Sequence, residues 1–178
     1  WKWALLLGLL IGYVFCLPDP LFKKPVSVVL EDETGQLLGA RIAADGQWRF
    51  PPMDSVPESF ANAIITFEDK RFYRHPGIDP LALGRALRLH LKAGNIVSGG
   101  STLSMQVIRL SRNNPPRNLW QKFLELILVT RLELRYSKAE ILALYASHAP
   151  FGGNVVGLEA AAWKYYGRRP DQLSWAEA

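Results

Sequence analysis

Two adjacent carboxylates, Glu68 and Asp69, close a segment that reads as the end of a helix, IITFED, before KRFYRHPG turns the chain away. Acids are favoured at a helix N-terminus, where the macrodipole is positive, and these two sit at the opposite end. On a continuous helix Glu68 shares a face with Ile64, Ile65 and Phe72. An apolar, desolvating surround is therefore expected, which disfavours the charged carboxylate and makes it a stronger base. A second reading needs no chemistry: Lys70 and Arg71 neutralise a solvated helix end. Another carboxylate, Glu125, stands in a long apolar segment with Leu128 and Val129 as helical neighbours. Its plainer reading is an i, i+3 surface pair with Lys122.

Paired carboxylates suit glycosyl chemistry, in which one group activates the attacking oxygen. A hydrolase needs the other to protonate a poor leaving group, whereas a transferase expelling a pyrophosphate needs cations to take up developing charge. Between Gly99 and Lys138 there are seven basic residues against two acids, which favours the transferase. The formal net charge of +5 suits an anionic partner such as lipid head groups, phosphates or nucleic acid. His75, His90 and His148 lack metal-ligand spacing, so no histidine-based metal site is expected. No S-x-x-K occurs, so a β-lactam-sensitive nucleophile is absent from these residues. The single cysteine, Cys16, excludes an internal disulfide framework.

The elements that must position these groups are legible from pattern. Trp1 to Leu17 carries one charge, Lys2, and reads as a helix about 25 Å long ended by Pro18 and Pro20. A single transmembrane anchor over 1–22 is expected, with a signal peptide or a buried core helix as alternatives; flanking lysines on both sides leave its orientation open. Residues 23–51 read as a small β element: VSVVL, an ETG turn, QLLGARIA, and an Asp45-Gly46 hairpin signal before QWRF. From Ser55 onward helices are expected. Ser55 and Pro57 open the first, and Asp79 caps the next, which Gly94 closes. Arg85, Arg88 and Lys92 share one face of that second helix, either touching a membrane surface or simply solvated. A loop ending in Gly99-Gly100 then feeds Ser101 and Thr102 at a helix start, where backbone N–H groups and hydroxyls can receive an anion. NNPPRN reads as a mobile loop, Leu119 to about Leu134 as a long helix, and Ser137 with Glu140 as a capping box. PFGGNVVG is a Gly-rich loop before a last helix closed by Gly167. The chain opens at Trp1 and ends inside another capping box, so a fragment cut at both ends is expected.

Taken in order, these motifs resemble the peptidoglycan glycosyltransferase domain of class A penicillin-binding proteins. EDKRFYRHPG matches that family's E-D-x-x-F-x-x-H-x-G. GGSTLSMQ resembles G-G-S-T-x-T-Q-Q, with Ser104 and Met105 as departures. QKFLE resembles R-K-x-x-E, with Gln121 in the Arg place, and SKAEILALYASHAPFGGNVVGLEAAAWKYYGR resembles the last two motifs, with Ser147 where Asn is usual. The match runs from about Pro52 to the end, and several motifs agreeing in order carry far more weight than any one.

The resemblance implies a mainly α, two-lobed, lysozyme-like domain over 52–178, on the periplasmic side of the cytoplasmic membrane. It implies polymerisation of lipid II with inversion, the growing glycan on polyprenyl pyrophosphate being the donor. Glu68 matches the general base, and Glu125 a second glutamate that orients or assists the leaving group, with room for a divalent cation such as Mg. Asp69, Phe72, His75, Gly99, Gly100, Ser101, Thr102, Gln106, Arg109 and Lys122 match substrate-contacting positions. Implied partners are lipid II, the growing glycan, membrane lipid and other cell-wall synthesis proteins, with no nucleic acid. Two other classes stay open: a lysozyme-like lytic enzyme, and a non-catalytic domain binding glycan or partner proteins.

Overall fold

The computed structural model describes residues 1–93, 100–116 and 118–178, excepting the side chains of residues 87, 90, 92 and 93. Gly99 and Lys92, singled out above, lie outside what is described, Lys92 for its side chain. The described residues are mainly helical: α1 (Lys2–Val14), α2 (Glu58–Glu68), α3 (Pro80–Ala93), α4 (Leu103–Ser111), α5 (Leu119–Arg135), α6 (Lys138–His148) and α7 (Leu158–Tyr166). The strands are short: β1 (Val28–Glu31), β2 (Leu37–Arg41), β3 (Trp48–Arg49) and β4 (Val155–Val156). The chain divides into two compact units, one of residues 1–23 and 71–137, the other of residues 24–70 and 138–178.

The first unit holds α1, α3, α4 and α5. Phe72, Leu103, Met105, Val107, Ile108, Val129 and Leu132 are fully buried in it. Asp79 caps α3 as expected: its Oδ1 accepts the N–H groups of Leu81 and Ala82, each at 3.0 Å. Thr102 caps α4, its Oγ1 accepting the Met105 N–H at 3.2 Å, while the Met105 sulfur accepts the Thr102 N–H at 3.5 Å. A thioether thus fills the role a Glu or Gln plays in the usual capping box, which accounts for Met105 at that position. Asn118 caps α5 by accepting the Gln121 N–H at 2.8 Å.

The transmembrane expectation is not supported. α1 ends at Val14, with Phe15 as its C-cap, ahead of the prolines. Thirteen residues give about 20 Å, short of the roughly 30 Å hydrocarbon core. No described helix is long and apolar enough to cross a membrane. On α3, Arg85 and Arg88 are exposed, and so are Leu81 and Leu91.

The second unit holds the strands with α2, α6 and α7. β1 and β2 form the expected antiparallel hairpin, with a bulge between Leu30 and Glu31. The Asp45-Gly46 turn forms too, Gly46 donating to the Ala43 carbonyl at 2.9 Å. β3, however, does not join that hairpin. It pairs in parallel with β4, from the stretch read as a Gly-rich loop. Two β-branched residues, Val155 and Val156, are too short a run to announce a strand without its partner. Phe60 of α2 packs with Ala146 of α6 and with Leu158, Ala162 and Leu173, and Ile64 lies against the same cluster. Ser147, in the place of the family's usual Asn, is buried, and its Oγ accepts the Met53 N–H at 2.9 Å. A short hydroxyl therefore satisfies a backbone donor there. Gly157 ends the loop at φ +90°, where a Cβ would stand 2.7 Å from the Ser147 carbonyl oxygen.

Candidate active site

In the first unit, α4 and α5 bring four of the expected site residues together. Glu125 is buried, and Arg109 grips it with two hydrogen bonds, Nε to Oε1 at 2.8 Å and a terminal nitrogen to Oε2 at 3.3 Å. Lys122, one turn before Glu125, places Nζ 3.5 Å from Oε2. The Ser101 hydroxyl oxygen accepts from both cations, from Arg109 at 3.3 Å and from Lys122 at 3.2 Å. Burial alone would raise the Glu125 carboxyl's pKa, but the Arg109 guanidinium and then Lys122 hold it below the ordinary value. Glu125 is thus a fixed anion, not a proton donor, and not the surface pair its spacing with Lys122 allowed. The cluster opens on a cleft of about 100 Å³, lined further by Pro115, Pro116, Asn118 and Gln121.

One part of the expected anion cradle, Thr102, and one further expected contact, Gln106, are placed otherwise. Thr102 is buried, and besides capping α4 its Oγ1 donates to the Gly77 carbonyl at 2.5 Å. It thereby ties the HPG turn to α4. Gly77 itself has φ +83°, and a Cβ there would meet Val129 and Glu133 of α5 at 2.8 Å. Thr102 and Gly77 hold the frame, and Ser101 is the hydroxyl at the cleft. Gln106 is half-buried on α4, away from the cleft's lining. Phe72 begins a short 3-10 helix, Phe72–Arg74, and is completely buried; His75 follows it and is buried as well. Arg71 donates Nε to Asp79 Oδ2 at 2.9 Å and pairs again through its other nitrogen. Burial would raise the Asp79 carboxyl's pKa, yet Arg71 and the Ala82 N–H keep it lowered.

In the second unit, Glu68 is the last residue of α2 and is exposed. The expected apolar surround is therefore corrected. α2 stops at Glu68, Asp69 takes the C-cap with φ −153° and ψ 71°, and Phe72 falls on no common helix face with it. Asp69 itself is buried. Tyr145 of α6 lies within electrostatic reach of Glu68. Ile64, one turn before Glu68, lies against the cluster that includes Ala146, so the end of α2 runs beside Tyr145. Burial, and then the Glu68 carboxylate, push the Tyr145 phenol up to about 12. Tyr145 stands two residues before Ser147 in the SKAEILALYASH stretch, but nothing in the sequence pairs it with a residue 77 positions away. In an ultraviolet pH titration compared against Tyr145→Phe, the Tyr145 phenolate should form well above the ordinary value of 10. Glu68→Gln should lower that midpoint while leaving it above 10, because burial is the larger cause. An unchanged midpoint would separate the two residues.

The family model described as Transglycosylase matches residues 35–178. Penicillin-binding protein 1C of Escherichia coli (strain K12) is 40% identical over 90% of this chain, covering 21% of that relative's own length. Penicillin-binding protein 1A of Aquifex aeolicus is 34% identical over 98% of this chain and 25% of its own, and penicillin-binding protein 1A of Escherichia coli (strain K12) is 36% identical over 90% and 19%. The chain thus spans about a quarter or less of the length of these curated relatives. With the motifs in order and the family match covering most of its residues, the chain belongs to the transglycosylase family.

Proposed function

We propose that this chain is a peptidoglycan glycosyltransferase that lengthens glycan strands from lipid II, working as a lysozyme-like, two-lobed domain at the outer face of the cytoplasmic membrane. One observation carries the choice of transferase: Glu125 is held ionised between Arg109 and Lys122, beside the Ser101 hydroxyl. A lytic enzyme must protonate a departing sugar oxygen, and a carboxylate whose proton affinity is lowered cannot supply that proton. A pyrophosphate departs as an anion and needs fixed cations, which Arg109 and Lys122 provide.

The reaction assigned to these residues is an in-line displacement. The acceptor's 4-hydroxyl attacks the donor's anomeric carbon, the bond from that carbon to the pyrophosphate oxygen breaks, and the anomeric configuration inverts. Glu68 takes the hydroxyl proton as general base. Its exposure at the end of α2 leaves the carboxylate reachable by an incoming sugar. Arg109 and Lys122 receive the pyrophosphate's developing charge, Ser101 donates to a phosphate oxygen, and Glu125 positions both cations. Glu125 does not suit a divalent cation: Arg109 engages both of its oxygens and Lys122 adds to Oε2, so a metal would have to displace them. No step is therefore routed through a metal. Incubation of the purified chain with labelled lipid II should yield polymer and free polyprenyl pyrophosphate. Release of fragments from cell-wall glycan, with no polymer from lipid II, would replace this reading with the lytic one.

A further inference from the structure

In the first unit an open groove of about 670 Å³ runs between α1 and α5, floored by Gly8, Gly12, Cys16, Ile78, Leu126 and Ile127. Its two hydroxyl-bearing residues are already committed. Thr130 Oγ1 donates to the Ile127 carbonyl at 2.8 Å and lies 3.0 Å from the Tyr13 hydroxyl, which leaves it accepting from Tyr13. Apart from these engaged hydroxyls and the Cys16 thiol, the described lining is apolar, which suits hydrocarbon. Gly8 and Gly12, four residues apart on α1, set the groove's width: a Cβ at either would meet nothing within 4 Å. At the Tyr13–Cys16 end the character changes. Arg131 Nε donates to the Val14 carbonyl at 3.1 Å, a bond that does not use its terminal nitrogens, and Arg135 reaches Asp19 at 2.8 Å. The Asp19 side chain is 77% exposed, so that pair is weak and open to exchange for a stronger anion.

An open apolar slot with two guanidinium groups at one end matches the chemistry of an anionic diacyl phospholipid. We infer that the α1–α5 groove binds one such lipid, an acyl chain lying over Gly8 and Gly12 and the phosphate resting on Arg131 and Arg135. The lipid covers Leu9, one of the exposed leucines of α1. The site uses none of Ser101, Arg109, Lys122 or Glu125, so it stands whether or not the glycosyltransferase reading does.

The test is native mass spectrometry of the full chain in a neutral detergent, with phosphatidylglycerol or phosphatidylcholine added. One phosphatidylglycerol per chain is expected, bound about tenfold or more tightly than phosphatidylcholine, since each basic residue at a lipid head contributes about 1 kcal/mol. Arg131→Gln with Arg135→Gln should erase that preference. Gly8→Leu and Gly12→Leu have room to fold and raise helix propensity. They should abolish the adduct by filling the slot. Cys16, on the groove wall, should react more slowly with a maleimide when phosphatidylglycerol is bound. Equal binding of the two lipids, or full binding by both leucine variants, would overturn the assignment. So would a preference for a polyprenyl phosphate, or a dimer that Gly12→Leu dissolves; these would give the groove to substrate or to a second copy.

Discussion

Glu68→Gln is expected to slow lipid II polymerisation by about 10²- to 10⁴-fold, the range over which a positioned general base typically acts. The amide keeps the shape of the side chain and loses only the proton acceptor. Stability should not fall with activity. Glu68 is exposed at the C-terminal end of α2, where surface substitutions change stability by about 0.5 kcal/mol or less. The expected pair of results is therefore a nearly unchanged melting temperature with turnover nearly gone. Steady-state polymerisation of labelled lipid II beside a thermal melt reads both. Turnover near that of the parent would remove Glu68 from the mechanism.

Arg109→Ala should show the opposite coupling, losing stability and turnover together. Among the described residues, Glu125 would keep only the 3.5 Å contact from Lys122 while still buried, and breaking a buried pair from one side costs about 3–5 kcal/mol. Loss of a fixed cation facing the leaving group should lower turnover by about 10²- to 10³-fold, the effect of removing one donor from a transition-state anion site. Arg109→Lys keeps the charge and should retain much of the activity, losing the two-point grip on Glu125. Combining Arg109→Met with Glu125→Gln separates the two effects. With no unpaired charge left inside, much of the stability should return while turnover stays low. Recovery of turnover in that double variant would reduce the cluster to scaffolding. The pair also fixes a pH dependence. Glu125's folded pKa lies below its ordinary 4.5, so its contribution is full above that value and is lost as pH falls through the lower folded value. Acid melts of the parent and of the double variant should diverge above that window and converge below it.

The sequence by itself determined the family, the order of the motifs, most helix limits and which side chains carry charge near one another along a helix. The Lys122–Glu125 spacing, the Asp79 cap, the Asn118–Leu119 helix start and the β1–β2 hairpin are local matters of a few residues, where periodicity and capping chemistry decide the outcome. Only the tertiary structure decided what depends on distant partners. Glu68 is exposed at the point where α2 stops, and Phe72 is buried within the first unit, so the helical face that would have joined them does not exist. Glu125 is a fixed anion because Arg109, 16 residues away, arrives on α4 with two hydrogen bonds. Thr102 leaves the cleft because the Gly77 carbonyl claims its hydroxyl, and β3 leaves its hairpin because Val155 and Val156 offer another edge. Burial and electrostatic partnership are properties of the folded chain in three dimensions, and they separate an exposed carboxylate at the end of α2 from a buried one locked between cations.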